Sequence, residues 1–177
     1  MEAMEMLYTR RSIRKYDGRP VEKEILDRVF SAALMAPSWK NTQTAGYIVA
    51  LSQEKRQVIM DCLPEYNANT CSMAPVIVVM TCNTKRSGYE RDGSYTTAKE
   101  DRWQNFDAGV ACQTMCLAAR EAGLGTCIMG IFDEAKLTAA LEIPENQIIT
   151  AVIPMGYPAM DPAAPKRKSL EERVSYV

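Results

Sequence analysis

The chain has 177 residues, 47% of them hydrophobic, enough for one compact domain over residues 1–177 with a substantial core. Its net charge of −1 gives no global attraction for nucleic acid or an anionic membrane, so neither is expected as a partner. It has no histidine, which excludes Ser–His and Cys–His hydrolases and removes the commonest zinc ligand, so no metal site is expected.

Taken in chain order, residues 2–9 read as a short helix with Met4, Leu7 and Tyr8 on one side. A basic run follows, Arg10-Arg11-Ser12-Ile13-Arg14-Lys15-Tyr16. Cationic side chains, a hydroxyl and turn amides in one place suit an anion with several oxygens, commonly a phosphate; a solvated charged face is the alternative. Pro20-Val21 introduces a second helix, about 22–35, with Ile25, Val29, Ala32, Ala33 and Ala36 at helical spacing. Pro37 and Ser38 stop it. The segment Pro37-Ser38-Trp39-Lys40-Asn41 then offers hydroxyl and amide groups that serve either a ligand or ordinary turn capping.

Tyr47–Leu51 reads as a strand, and Ser52 caps a helix over about 53–62. Residues 64–73 read as a loop or broken helix, where Asn67 has the same double reading as Asn41. Val76-Ile77-Val78-Val79-Met80 is a continuous β-branched run, a strand buried on both faces. Residues 83–100 are polar and glycine-containing, the expected mobile loop. A long helix over about 101–122 follows, its predicted inner face Phe106, Val110, Thr114, Leu117 and Ala118. Gly123 and Gly125 end it. They lie in a G-x-G arrangement that is no dinucleotide fingerprint, because a helix precedes and a strand follows. Thr126–Met129 is the next strand, at whose end Gly130 is either a turn glycine or an amide open to a planar ligand. Asp133 caps a last helix, and Gln147–Met155 is a final core strand. The tail beyond Pro158 is rich in proline and charge and carries a second basic cluster, Lys166-Arg167-Lys168. It is either a disordered terminus or an arm reaching another subunit.

The cysteines at 62, 71, 82, 112, 116 and 127 show no C-x-x-C spacing. With Glu2 and Glu5 at the start and no long apolar run, they read as reduced thiols of a cytoplasmic protein. The irregular succession of helices and strands fits an α+β domain around one mixed sheet.

Five motifs occur in order: Arg10-Arg11-Ser12-x-Arg14, Ala36-Pro37-Ser38-x-x-Asn41-x-Gln43, Gly123-Leu124-Gly125-Thr126-x-x-x-Gly130, Met155-Gly156-Tyr157-Pro158, and Lys166-Arg167-Lys168 before Leu170-Glu171-Glu172. This order resembles the FMN-dependent nitroreductase family along nearly the whole chain. The resemblance implies a mixed central sheet flanked by helices and an interwoven homodimer with exchanged C-terminal tails. It implies two FMN sites at the dimer interface and NAD(P)H as electron donor. Hydride would pass in a ping-pong cycle through flavin N5 to a small-molecule acceptor: a nitroaromatic, a quinone or a similar electron-poor compound. Reductive dehalogenation, ene-reduction and non-catalytic flavin sensing are the alternative activities for such a fold.

Carried over by position, Arg10, Arg11, Ser12 and Arg14 would hold the FMN phosphate and ribityl end. Lys166, Arg167 and Lys168 would close on the same phosphate, and the resemblance does not choose among the three. Asn67 would reach the ring from its own chain, and Pro37, Ser38, Trp39 and Asn41 the flavin of the other subunit. Met129 and Gly130 would present a backbone N–H near N5. No side chain is expected to act as a catalytic acid or base. The chain departs from the family where Gln43-Thr44-Ala45 replaces a frequent Q-P-W, where Met129 replaces an acidic residue of some subfamilies, and where Trp39 is bulkier than usual.

Overall fold

A computed structural model describes residues 2–177. The elements are α1 (Ala3–Thr9), α2 (Lys23–Ala33), β1 (Ala45–Ala50), α3 (Gln53–Met60), α4 (Glu65–Cys71), β2 (Val76–Asn83), α5 (Arg102–Glu121), β3 (Gly125–Thr126), α6 (Glu134–Ala140) and β4 (Gln147–Gly156). The fold is α+β, with a four-stranded sheet in the order β1-β2-β4-β3. All three strand pairings are antiparallel, and a parallel pairing enters through a single bridge between Ser12 and Thr126.

β2 is the centre of the molecule because its side chains are apolar on both faces. Val76, Val78, Met80 and Cys82 pack with α2 and α5, while Ile77 and Val79 pack on the other side with Ile59, Cys71 and Leu137 of α3, α4 and α6. At about 1.5–3 kcal/mol for each fully buried aliphatic side chain, this strand is the largest local source of hydrophobic stabilisation. Met80 pairs with Ala151 but Thr81 pairs with Ile149, so Thr150 is the extra residue of a bulge. The bulge lets Ile149 and Val152 share one face while Ala151, Ile153 and Met155 share the other.

Capping follows the residue types. Ser52 accepts from Lys55 N–H at 3.2 Å and Asp133 accepts from Lys136 N–H at 3.0 Å. α5 ends in a Schellman turn: Gly123 has φ +78°, its N–H reaches Arg120 O at 3.1 Å, and Leu124 N–H reaches Ala119 O at 2.8 Å. The stretch 64–73 contains the helix α4, and the expected strand 126–129 is shorter, with Gly125–Thr126 paired to β4 and Met129 in a lone bridge to Val152.

The buried face of α5 differs from expectation. It is Gln104, Asp107, Ala108, Ala111, Cys112, Met115, Cys116 and Ala119, whereas Phe106 is exposed and Val110, Thr114, Leu117 and Ala118 are half-buried. The helix is apolar on two sides, and periodicity does not say which one meets the sheet. The small-sided face wins because alanine and cysteine let the backbone approach β2 closely. α2 shifts in the same way, burying Leu26, Val29 and Ala33 and leaving Ala32 exposed.

Candidate functional site

The basic segment 10–16 is fixed along the edge of the sheet. Ile13 N–H donates to Thr126 O at 2.9 Å, and Ala159 N–H donates to Lys15 O at 3.0 Å. The Tyr16 ring is buried, and its hydroxyl is shared between Ile13 O at 2.8 Å and Pro154 O at 3.1 Å. Burial raises the Tyr16 hydroxyl well above the ordinary phenol range, so it stays a donor. Gly125 permits the close approach, since a Cβ there would lie 2.5 Å from Ile13 Cγ1.

This anchoring turns the intervening residues outward into a cavity of about 260 Å³ lined by Arg10, Arg11, Ser12, Arg14 and, from the tail, Pro162, Ala163, Pro165 and Arg167. The two basic clusters of the sequence therefore meet. Of the three tail cations, Arg167 faces the cavity, whereas Lys168 pairs with Glu172 at 3.2 Å and Lys166 is not part of the lining. Arg11 is partly spent on backbone, donating to Tyr8 O at 2.7 Å and Arg10 O at 2.9 Å. Among the described residues Arg10, Arg14 and Arg167 form no ion pair with a carboxylate. Three guanidinium groups converging without an acidic partner suit a phosphate, which accepts several parallel N–H bonds.

A second polar centre forms where α4 meets the strand end. Asn67 is buried, and its Nδ2 donates to Ile131 O at 2.9 Å, which sets it beside Gly130. Met129 and Gly130, the pair expected to present a backbone N–H near N5, differ in what their amides do. Met129 N–H donates to Val152 O at 2.9 Å, and the Met129 side chain is buried against Cys71. Gly130 is exposed, with open space where a Cβ would stand and no backbone partner for its N–H among the described residues. A flat ring has room there.

Pro37, Ser38, Trp39 and Asn41 are not brought into the Arg10 cavity. Pro37 and Ser38 line a separate small cavity with Thr44, Tyr47 and Asp107. The segment is a tight left-handed turn: Lys40, Asn41 and Gln43 have φ of +44°, +55° and +50°. Such angles are costly outside glycine. The turn is held by Gln43 N–H donating to Ser38 Oγ at 2.9 Å and by Trp39 N–H donating to Asp107 Oδ2 at 2.8 Å. The same Asp107 oxygen accepts the Ser87 hydroxyl. Asp107 thus ties the turn to the segment 83–100, which is built of turns rather than an open loop. In it Thr96 N–H reaches Gly88 O at 2.9 Å, and the Tyr89 and Tyr95 rings pack 4.9 Å apart. Trp39 stacks on Trp103 at 4.8 Å, and Trp103 meets Phe106 edge-on at 5.2 Å.

Sequence reasoning missed Asp107 and Trp103. An acid inside an alanine-rich helix face was the available signal for the first; nothing in the sequence tied the second to Trp39.

Residues 7–70 and 59–157 match the family model described as Nitroreductase family. A Methanothermobacter thermautotrophicus protein provisionally named NADH dehydrogenase/NAD(P)H nitroreductase is 33% identical, over 92% of this chain and 80% of the relative. The Bacillus subtilis FMN reductase [NAD(P)H] is 28% identical, over 99% of this chain and 73% of the relative. The crystal structure of a nitroreductase family protein from Clostridium novyi NT superposes with TM-score 0.78 at 28% identity, covering 89% of this chain and 86% of that one.

Proposed function

The chain belongs to the nitroreductase family, and on that premise we propose that it is an FMN-dependent oxidoreductase moving hydride from NAD(P)H to nitroaromatic, quinone or similar electron-poor acceptors. The observation that carries this reading is the carboxylate-free cavity uniting Arg10, Arg14 and Arg167. The residues present fit FMN: three unpaired guanidinium groups for its phosphate and the free Gly130 amide in open space for its ring. FMN, when bound, supplies the hydride-transfer chemistry.

The protein's part is to bind and orient. Arg10, Arg14 and Arg167 neutralise the phosphate, Ser12 offers its hydroxyl beside them, and Arg11, already held by backbone carbonyls, supports the wall. Gly130 N–H would be available to donate to the ring of a bound flavin. Asn67 keeps the Gly130–Ile131 backbone in place through its bond to Ile131 O. Protons come from solvent, in keeping with a chain that lacks histidine.

The partner is a second copy of the chain. Pro37, Ser38, Trp39 and Asn41 line no part of the Arg10 cavity, so in this reading they complete the flavin site of the other subunit. The uncovered apolar side of α5 supports it: an open groove of about 640 Å³ runs between α2 and α5, bounded by Met6, Ala32, Thr114 and Leu117. Beyond Arg167 the tail carries Leu170, Val174 and Tyr176 exposed, as an arm exchanged between subunits would. Six free cysteines fit a reducing, cytoplasmic setting. Among the described residues no helix is long and apolar enough to cross a membrane.

The test is a visible spectrum of purified protein before and after anaerobic NADH or NADPH. Flavin bands that bleach, followed by return of colour with a quinone, are expected. Colourless protein that refuses added FMN overturns the proposal, and flavin that does not bleach moves it to a binding or sensing role. Arg14→Ala with Arg167→Ala is expected to lose FMN on gel filtration; stoichiometric retention would refute the phosphate assignment.

A further inference from the structure

A second cationic cavity stands apart from the one that unites the two basic clusters of the sequence. It has a volume of about 580 Å³ and is lined by Lys40, Thr42, Lys85, Arg86, Tyr89, Glu90 and Arg91. Four of these seven side chains are cations and one is an anion. Glu90 is already spent on Lys40, whose Nζ lies 3.0 Å from its carboxylate. Lys85, Arg86 and Arg91 form no ion pair among the described residues. In a chain of net charge −1, three uncompensated cations around one hollow are a local excess that a ligand has to balance.

The walls are set in advance of binding. Lys85 N–H donates to Gln104 Oε1 at 2.6 Å, and Ser87 is held by Asp107, so the segment carrying Arg86 is fastened to α5 at both flanks. Thr42, from the left-handed turn, completes the lining. Lys40 and Thr42 belong to the same left-handed turn as Trp39 and Asn41, so the cavity adjoins the segment assigned to the flavin ring of the other subunit.

We infer that this cavity receives the phosphate groups of the reduced nicotinamide dinucleotide and favours the form with a 2′-phosphate, NADPH. The inference rests on the oxidoreductase reading above. A dinucleotide that lays its nicotinamide on a flavin must carry its phosphates away past the ring edge. A hollow whose walls are fastened to α5 and which holds three free cations suits them there. A single carboxylate on an acceptor would leave most of that charge unbalanced. Arg86 and Arg91 are the specificity-determining residues, since their planar guanidinium groups match phosphate oxygens two at a time.

The test uses the FMN-loaded protein and the Arg86→Glu/Arg91→Glu variant, with Arg86→Lys/Arg91→Lys as the conservative control and circular dichroism to verify folding. Binding of 2′,5′-adenosine bisphosphate, which has no nicotinamide and undergoes no redox step, is measured by calorimetry. In parallel, KM for NADPH, NADH, a neutral quinone and a nitrobenzoate is measured at low salt and at about 0.15 M salt. The charge reversal is expected to weaken the bisphosphate and raise KM for NADPH by about tenfold or more, to raise KM for NADH less, and to flatten the salt dependence. The lysine control, which restores the charge but not the paired hydrogen bonds, is expected to recover part of the loss, with kcat and the quinone KM within about twofold of the parent in both variants.

Unchanged bisphosphate binding and an unchanged NADPH KM overturn the inference. So does a rise confined to nitrobenzoate, which would assign the cations to an anionic acceptor. Failure of the parent protein to bleach with either dinucleotide defeats the oxidoreductase reading instead, and the calorimetric comparison still decides whether the cavity binds phosphate.

Discussion

Replacing Asp107 by alanine isolates the contact that joins the left-handed turn after Pro37 to the segment 83–100. Its carboxylate accepts Trp39 N–H at 2.8 Å and the Ser87 hydroxyl, and the side chain is 5% exposed. Hydrogen bonds to a charged group contribute about 1.5–3 kcal/mol each, so the pair is worth roughly 3–6 kcal/mol before relief of the buried charge is counted. That relief offsets part of it, leaving a loss of about 2–4 kcal/mol. For a domain of this size the loss corresponds to a drop in Tm of roughly 5–15 °C. The left-handed residues Lys40, Asn41 and Gln43 keep the loss toward the lower end of this range, because a turn released from Asp107 can relax to ordinary backbone angles. Asp107→Asn keeps an acceptor oxygen and is expected to cost about half as much. Urea unfolding followed by circular dichroism measures both variants, and limited proteolysis within 83–100 reports the loosened segment. An Asp107→Ala protein within about 0.5 kcal/mol of the parent, with unaltered proteolysis, would refute the reasoning.

Three further outcomes are expected. Stability should fall as pH rises above 9: burial, and secondarily Cys127, push the Cys71 thiol from 9.0 up to about 12. Its contribution is complete below the unfolded value and is lost up to the folded one, at about 1.4 kcal/mol per pH unit. Urea midpoints of the reduced protein at pH 8 and 10 test this, and Cys71→Ala should show a shallower decline. Gly125→Ala places a Cβ 2.5 Å from Ile13 Cγ1 and 2.7 Å from Ile13 Cβ. It should cost about 1–3 kcal/mol and loosen FMN through the Ser12–Thr126 bridge, with Ile13→Ala restoring part of the stability; an unchanged melting curve would contradict the packing. Leu117→Glu, on the outward face of α5, should shift the sedimentation coefficient to that of a monomer with little change in secondary structure; a dimer that persists would place the interface elsewhere.

Sequence made the elements legible wherever one periodicity dominated. β2, the serine and aspartate caps and the glycine stop of α5 all appeared close to their expected positions because local chemistry alone decides them. It failed where two faces competed. α5 is apolar on both sides, and the choice of the alanine–cysteine face over Phe106, Val110 and Leu117 depends on how closely a helix can approach β2, a tertiary quantity. The bulge at Thr150 is invisible for the same reason, since it answers to the packing of two sheet faces rather than to any turn residue.

The residues of the candidate site were legible as an inventory of cations and not as an arrangement. Arg10, Arg14 and Arg167 are more than 150 residues apart at the extremes, and only the ties Ile13–Thr126 and Lys15–Ala159 bring them round one cavity. The same ties separate that cavity from Pro37, Ser38, Trp39 and Asn41. In a monomer, then, the strained turn at Lys40–Gln43 would carry its conformational cost without serving the Arg10 cavity. Strain of that kind persists when the surroundings over-determine it. Asp107 supplies one such restraint from within the chain, and in the proposed reading the other is a second subunit seated on the uncovered groove beside α5, whose docking would bring the turn to the flavin and keep it there.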